Sequence, residues 1–275
     1  MSKLYIVGTP IGNLNDISMR ALDTLSSVNF IAAEDTRVTL KLLNKYNIKN
    51  TLLSYHEHNK NEMGEKIVSR IMNGESCALV TDAGMPAISD PGVDLVNLCY
   101  ENNIKVESVP GPTAVTTALA LSGFDTRRFV FEGFLPQDKE EKKMVLLDIK
   151  GEKRTVVFYE APHRFHKTLK DIFDITGERD IAIVREITKI HEEVIRTKLS
   201  QACEMYSKTE IKGEIVLIIA GCKESQHGMN TLSEAVDYAF SLINDGESKS
   251  NAAKIAAQES GFKKGDIYSM LIKMP

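Results

Sequence analysis

The sequence predicts an α/β protein: two α/β domains followed by a helical tail. Two observations carry this. Short uncharged runs such as Leu4–Val7, Val28–Ala33 and Cys77–Thr81 have the length of buried strands, and they alternate with stretches whose apolar residues recur at helical spacing. Strands alternating with helices give a largely parallel sheet covered on both faces.

In order, the first half predicts a strand at Leu4–Val7, a helix over Asp16–Leu25 and a second strand at Val28–Ala33. A helix over Leu40–Tyr46, a short strand at Leu52–Leu53 and a helix over Glu62–Met72 follow, then the strand at 77–81, a helix over 93–100, a strand at Ile104–Val109 and a helix over Thr113–Leu121. Ser122–Arg128, polar and holding Gly123, separates residues 1–121 from a second α/β domain, 122–222. That domain carries strands near Phe129–Phe131, Thr155–Tyr159, Ile181–Val184, Glu193–Arg196 and Ile215–Ala220, read as a mixed sheet. Residues 223–230 read as a polar linker, and 231–275 as three helices broken at Gly246 and Gly261. The turn Gly261-Phe262-Lys263-Lys264-Gly265-Asp266 has a helix-turn-helix character.

Composition narrows the function classes. A chain of 275 residues with 43% hydrophobic and 26% charged residues is ordinary for a globular protein large enough for two domains. No apolar run reaches the roughly 18 residues a membrane span needs, and Met1-Ser2-Lys3 leads into a strand without the apolar core of a signal peptide. Cys77, Cys99, Cys203 and Cys222 form no CxxC pair and read as small buried hydrophobes in a reducing cytoplasm. A net charge of −4 argues against a generic polyanion binder. Residues 248–275 are the local exception: there Lys249, Lys254, Lys263, Lys264 and Lys273 outnumber Glu259 and Asp266. GxGxxG, Gly-Lys-Ser and Gly-x-Ser-x-Gly are all absent, which sets aside dinucleotide dehydrogenases, P-loop enzymes and ordinary serine hydrolases.

Three Gly/Pro loops follow three strands: residues 8–14, 82–92 and 109–114. Loops at the carboxyl edge of such a sheet are where open α/β folds place ligands. Gly84 and Gly92 allow close backbone approach, Pro86 and Pro91 stiffen the middle loop, and Asp82 and Asp90 add carboxylates. Nine blocks in order, GTPIGNLNDI, AAEDTR, SYHEHN, DAGMPAISDPG, PGPTA, GFLP, FYEAPHR, REITKIHEE and KGEIVLII, make the chain resemble the ribosomal small-subunit RNA 2′-O-methyltransferase I family, within the tetrapyrrole-methylase-like (class III) S-adenosylmethionine enzymes. The resemblance runs from about residue 1 to 222 and continues into the tail. It implies S-adenosylmethionine in a cleft between two domains, lined by Pro10, Asp82, Ala83, Gly84, Met85, Ala87, Ile88, Thr113 and Ala114. It also implies 2′-O-methylation of a cytidine in the decoding region of 16S ribosomal RNA within the 30S subunit, by a homodimer that needs no metal.

A ribose 2′-hydroxyl is a weak nucleophile, so a base or carboxylate within hydrogen-bond reach is expected. The candidates are Glu34, Asp35 and Arg37; Glu160, His163 and Arg164; and Glu186 beside Arg185. Each cluster follows an apolar strand. The arginines suit bidentate capture of phosphates, whereas Glu34, Asp35 and Arg37 read equally as a helix cap with an ion pair. His56 stays open as a proton acceptor, and His56 with His58 lacks a third ligand for a metal site. Tyr55 and Phe134 are candidates for stacking on a base. Two other readings compete: a small-molecule methylase of the same fold acting on tetrapyrroles, and a non-enzymatic RNA-binding protein using the tail.

Overall fold

A computed structural model describes residues 2–207, 209, 211–222, 229 and 231–273. Two compact units emerge, Met1–Ala220 and Gly221–Pro275. The expected linker at 223–230 lies outside the described residues except for Met229.

The first unit holds two sheets. The first comprises β1 (Leu4–Val7), β2 (Phe30–Ala33), β3 (Leu52–Ser54), β4 (Cys77–Val80) and β5 (Val106–Val109), all parallel, in the order β3-β2-β4-β1-β5. Alternation sorts its side chains. Leu4, Ile6, Phe30, Ala32, Cys77 and Leu79 pack on one face against α3 (Lys60–Met72) and α4 (Gly92–Glu101). Val7, Ile31, Ala33, Ala78 and Val80 pack on the other against α1 (Met19–Ser27) and α2 (Thr36–Lys45). Topology explains the division. The chain moves one way from β1 through β2 to β3, then turns back to β4 and β5, and right-handed crossovers put helices of opposite travel on opposite faces.

The two largest differences in helix start from expectation, at α1 and α2, come from caps. Ser18 accepts from the Ala21 N–H, so α1 begins at Met19 after a 3-10 turn at Leu14–Asp16. Asp35 accepts from the Arg37 N–H, so α2 begins at Thr36, earlier than the apolar spacing from Leu40 suggests.

The second sheet comprises β6 (Phe129–Phe134), β7 (Thr155–Glu160), β8 (Asp180–Arg185), β9 (Glu193–Lys198) and β10 (Ile215–Ile219), in the order β6-β7-β10-β8-β9. Only β6 and β7 are parallel, so the sheet is mixed. One face packs on α6 (Lys139–Lys150), α7 (Phe165–Thr176) and α8 (Leu199–Met205) through Leu146, Phe165, Leu169 and Leu199. Its other face takes α5 (Ala114–Ser122), the helix that follows β5: Val115, Ala118 and Leu119 pack against Val157, Ala182, Val184, Val216 and Ile218. Burying an aliphatic side chain of this size stabilises by roughly 1.5–3 kcal/mol, so α5 binds the two sheets into one body.

In the second unit α9 (Leu232–Asn244), α10 (Lys249–Ser260) and α11 (Lys264–Lys273) enclose a core of Val236, Ala239, Ala252, Ala253, Ala256, Ile267 and Leu271. Alanines on α9 and α10 permit close helix approach. Thr231 and Glu234 form a capping box at the start of α9, and Gly261 ends α10 in the left-handed conformation. No helix among the described residues is long and apolar enough to cross a membrane.

Candidate functional site

The loops after β1, β4 and β5 are bonded into one platform. Thr9 and Gly84 exchange both backbone hydrogen bonds, at 2.9 and 3.2 Å. The Thr9 hydroxyl donates to the Thr81 carbonyl at 3.1 Å. Gly8 meets Gly111 so closely that a Cβ on Gly8 would lie 2.6 Å from Gly111 Cα and from Met85 Sδ. Only glycine fits there.

The 82–92 loop is held by Asp90, whose Oδ1 accepts from the N–H groups of Ala87 at 2.9 Å and Gly92 at 2.7 Å. Ala87 (φ 66°) and Ser89 (φ 63°) adopt the left-handed conformation without being glycine. Such strain persists where surroundings impose it, often at functional sites. Burial raises the Asp90 carboxyl above its ordinary range, against the pull of those two N–H groups.

Above this platform lies a cavity of about 840 Å³, in the size range of small-molecule sites. From the first half, Ile11, Glu34, the 81–86 stretch, Ile88–Asp90 and Thr113–Thr116 line it. The second half contributes Phe129, Phe131, Phe134, Tyr159–Pro162, Ile187 and Gly213–Val216. Its carboxylates are Glu34, Asp82, Asp90, Glu160 and Glu214, and no lysine or arginine is among the described lining residues. That charge balance favours a cationic ligand without phosphates.

Glu34 and Asp82 meet at the ends of β2 and β4. Glu34 Oε2 accepts from the Thr81 hydroxyl at 2.5 Å and from the Asp82 N–H at 3.4 Å, and Oε1 has no hydrogen-bond partner among the described residues. Asp82 Oδ1 accepts from the Asp35 N–H at 3.1 Å. Burial first, and then the Glu34 charge, raise the Asp82 carboxyl.

The other sequence candidates sit elsewhere. Asp35 is bound to Arg37 through both oxygens, and the Arg37 hydrogen bonds hold its carboxyl at about 2. Arg37 itself is 87% exposed. Glu160 is 3% exposed and fully used: Oε1 accepts from the Ala161 N–H at 2.7 Å and Arg164 Nε at 2.5 Å, and Oε2 from the Thr168 hydroxyl at 2.5 Å. Arg164 also donates to the Leu135 carbonyl at 3.2 Å, while His163 is exposed and does not line the cavity. Glu186 accepts from Lys189 at 2.9 Å and from the Glu214 N–H at 3.0 Å, and the Lys189 bond lowers its carboxyl. Pro10 is buried and Ala87 half-buried; neither lines the cavity, contrary to expectation. Of the two proposed stacking residues, Tyr55 is core: it is 2% exposed and its hydroxyl donates to the Pro91 carbonyl at 3.1 Å. Phe134 lines the cavity. His56 does not, and its Nδ1 is buried without a partner. No group of three metal-ligating side chains is gathered among the described residues.

Sequence reasoning missed Ile187 and the Gly213–Val216 wall, because pairing of β8 and β10 with distant strands brings them to the cavity. Gly213 itself takes φ 88°, and a Cβ there would fall 2.4 Å from the Glu186 carboxyl.

Residues 3–203 match the family model described as Tetrapyrrole (Corrin/Porphyrin) Methylases. A curated relative from Thermotoga maritima, called Ribosomal RNA small subunit methyltransferase I, is 49% identical over 221 residues, covering 80% of this chain and 99% of the relative. The Bacillus subtilis protein of the same name is 42% identical over 273 residues, covering 98% of this chain and 93% of the relative. Among solved structures, a cobalt precorrin-4 methyltransferase superimposes with a TM-score of 0.59 at 21% identity, over 80% of this chain and 95% of that one. A diphthine synthase gives 0.61 at 12% identity, over 80% and 90%. The fold is thus that of a methylase, and the chain belongs to the tetrapyrrole methylase family. Within it the chain falls with the ribosomal RNA small subunit methyltransferase I relatives.

Proposed function

We propose that the chain transfers a methyl group from S-adenosylmethionine to the ribose 2′-hydroxyl of a cytidine in the decoding region of 16S ribosomal RNA, acting on the assembled small subunit. The observation that carries the reading is the cavity: carboxylates and apolar side chains around a rigid Gly/Pro platform, with no basic side chain described in its lining. The donor supplies, when bound, an activated methyl group on a sulfonium cation and has no phosphate that would call for lysines. A solved uroporphyrin-III C-methyltransferase from Thermus thermophilus, with a TM-score of 0.58, is complexed with S-adenosyl homocysteine. The relatives' names supply the RNA substrate.

In this reading Asp82–Met85, Ile88, Thr113 and Ala114 hold the donor, while Pro10 and Ala87 belong to the same loops without lining the cavity. Glu34 is the carboxylate suited to orient the hydroxyl and take its proton, since Oε1 is uncommitted and Thr81 fixes the group from the other oxygen. Asp35, Glu160 and Glu186 are each occupied by a cation or by backbone N–H groups. Positioning supplies most of the remaining rate, because methyl transfer needs a nucleophile in line. Arg37, exposed, is suited to meet RNA phosphate, and His163 is exposed outside the cavity lining. Homodimer formation, a cytoplasmic location and RNA contacts by the lysines of residues 248–275 in the helical tail belong to the same proposal.

The test is transfer of labelled methyl from S-adenosylmethionine to small subunits that lack the modification, followed by nucleoside analysis. Labelled 2′-O-methylcytidine supports the reading. Unlabelled RNA overturns it, and turnover of a tetrapyrrole in its place would move the chain to the small-molecule branch.

A further inference from the structure

The cavity wall from the second sheet has a construction that donor binding does not account for. In β6, Phe129 registers with Thr155 and Phe131 with Val157, but the register then slips, so that Gly133 meets Phe158 and Phe134 meets Tyr159. Neighbours in register point to the same side of a sheet. The extra residue, a β-bulge, therefore turns Phe134 onto the side that carries Phe129, Phe131 and Tyr159. Without it Gly133 would occupy that side, and Phe134 would turn toward α6 and α7. Gly133 takes φ 64°, and a Cβ there would stand 3.3 Å from Ser89 Oγ on the 82–92 loop. Bulges next to active sites commonly re-aim a side chain in this way.

The result is an aromatic shelf. Phe131 meets the Tyr159 ring edge-on at 5.0 Å, and Phe134 lies 5.5 Å from Tyr159 at 54°. All four aromatics line the cavity, yet Phe134 remains 54% and Phe129 39% exposed. Phe134 is thus braced by Tyr159 while keeping much of its surface open. A half-exposed phenylalanine beside a cavity is costly to leave in water, and a planar base is the partner its shape fits.

We propose that Phe134, supported by Tyr159 and Phe131, is the surface on which the target nucleobase stacks once its nucleotide is turned out of the RNA. The assignment rests on the RNA-methylating reading above and adds to it the position of the base. Enzymes acting on nucleotides within folded RNA splay the target out and stack it on aromatics. The stack holds the attached ribose where the donor and Glu34 share the cavity.

Full-length Phe134→Leu and Phe134→Tyr are to be compared with wild type in two measurements: cofactor binding by calorimetry, and methyl transfer to unmodified small subunits. Phe134→Leu is expected to bind S-adenosylmethionine as wild type does, while kcat/KM for subunits falls about 5- to 150-fold, the range a lost base–aromatic stack gives. Phe134→Tyr, which keeps the ring, restores most of the activity. The proposal is overturned if Phe134→Leu methylates subunits like wild type, if Phe134→Tyr is as impaired as Phe134→Leu, or if donor affinity falls by the same factor, which would assign the shelf to the cofactor. A wild-type enzyme that binds the donor but labels no RNA overturns the functional reading and this inference together.

Discussion

The Thr81 hydroxyl donates to Glu34 at 2.5 Å, joining the ends of neighbouring strands β4 and β2 at the cavity wall. This bond fixes one carboxylate oxygen and leaves the other uncommitted, the arrangement a positioned proton acceptor requires. Glu34→Gln should therefore keep the fold and the cofactor affinity while lowering kcat by about 10²- to 10⁴-fold, the usual contribution of general base catalysis. Thr81→Val should lower kcat by a smaller factor. Single-turnover methylation of subunits checks both.

Asp82 gives a prediction with a sign opposite to that of most carboxylates. Its folded-state carboxyl is raised by burial and by Glu34, so the ionised form opposes folding once pH exceeds the unfolded carboxylate value. Asp82→Asn should melt at a higher temperature than wild type at pH 7, and the gain should shrink as pH falls toward the carboxylate range. Cofactor affinity should drop in the same variant. Thermal melts from pH 4 to 8, with calorimetry at pH 7, test the pairing of gained stability with lost binding.

Asp35, Glu107, Asp125 and Glu152 behave in the ordinary way. Hydrogen bonds from Arg37, Lys105 with Lys3, Arg127 and Arg154 respectively hold each at about 2. A depressed folded-state value means stability that is present above the unfolded carboxylate pKa, near 4, and is lost as pH falls toward 2. Acid unfolding should fall in that window, and Asp35→Asn should make the stability curve less steep there. A circular-dichroism titration from pH 5 to 1.5 reads this directly.

Glu160 lines the cavity, but its bonds assign it a structural duty there. Removing one partner of a buried ion pair costs about 3–5 kcal/mol, and Glu160→Ala would strand the Arg164 guanidinium, the Thr168 hydroxyl and the Ala161 N–H together. Urea unfolding should show a loss of that order. A loss below about 1 kcal/mol with abolished activity would instead make Glu160 a direct participant in the chemistry.

The second unit has its own core. Deleting 231–275 should spare cofactor binding and weaken capture of the ribosomal subunit. Unchanged subunit methylation after the deletion would reduce the tail to a stabilising element.

Strands with uncharged apolar runs were legible, because burial on both faces demands such runs: β1, β2 and β4 lie where Leu4–Val7, Val28–Ala33 and Cys77–Thr81 place them. The convergence of the loops after β1, β4 and β5 was legible as well from their Gly/Pro content, whereas the contact of Gly8 with Gly111 that joins two of them was not. Pairing across the fold was not. Nothing near Gly213 announces that β10 runs between β7 and β8 and brings Gly213–Val216 to the cavity. Nor does Phe-Glu-Gly-Phe reveal its bulge, which exists only against β7. Glu160 shows the same limit. A carboxylate after an apolar strand reads as reactive until the Arg164 and Thr168 side chains are seen to saturate it.

Calorimetric titration of S-adenosylmethionine into wild type and Ala83→Trp tests the cavity most directly. Ala83 lines it, is exposed, and has no left-handed backbone, so a large side chain there fills space without straining the loop. Expected is micromolar binding to wild type, lost in a variant that melts at an unchanged temperature. Wild-type affinity in Ala83→Trp, or no binding to wild type, would contradict the assignment of this cavity to the methyl donor.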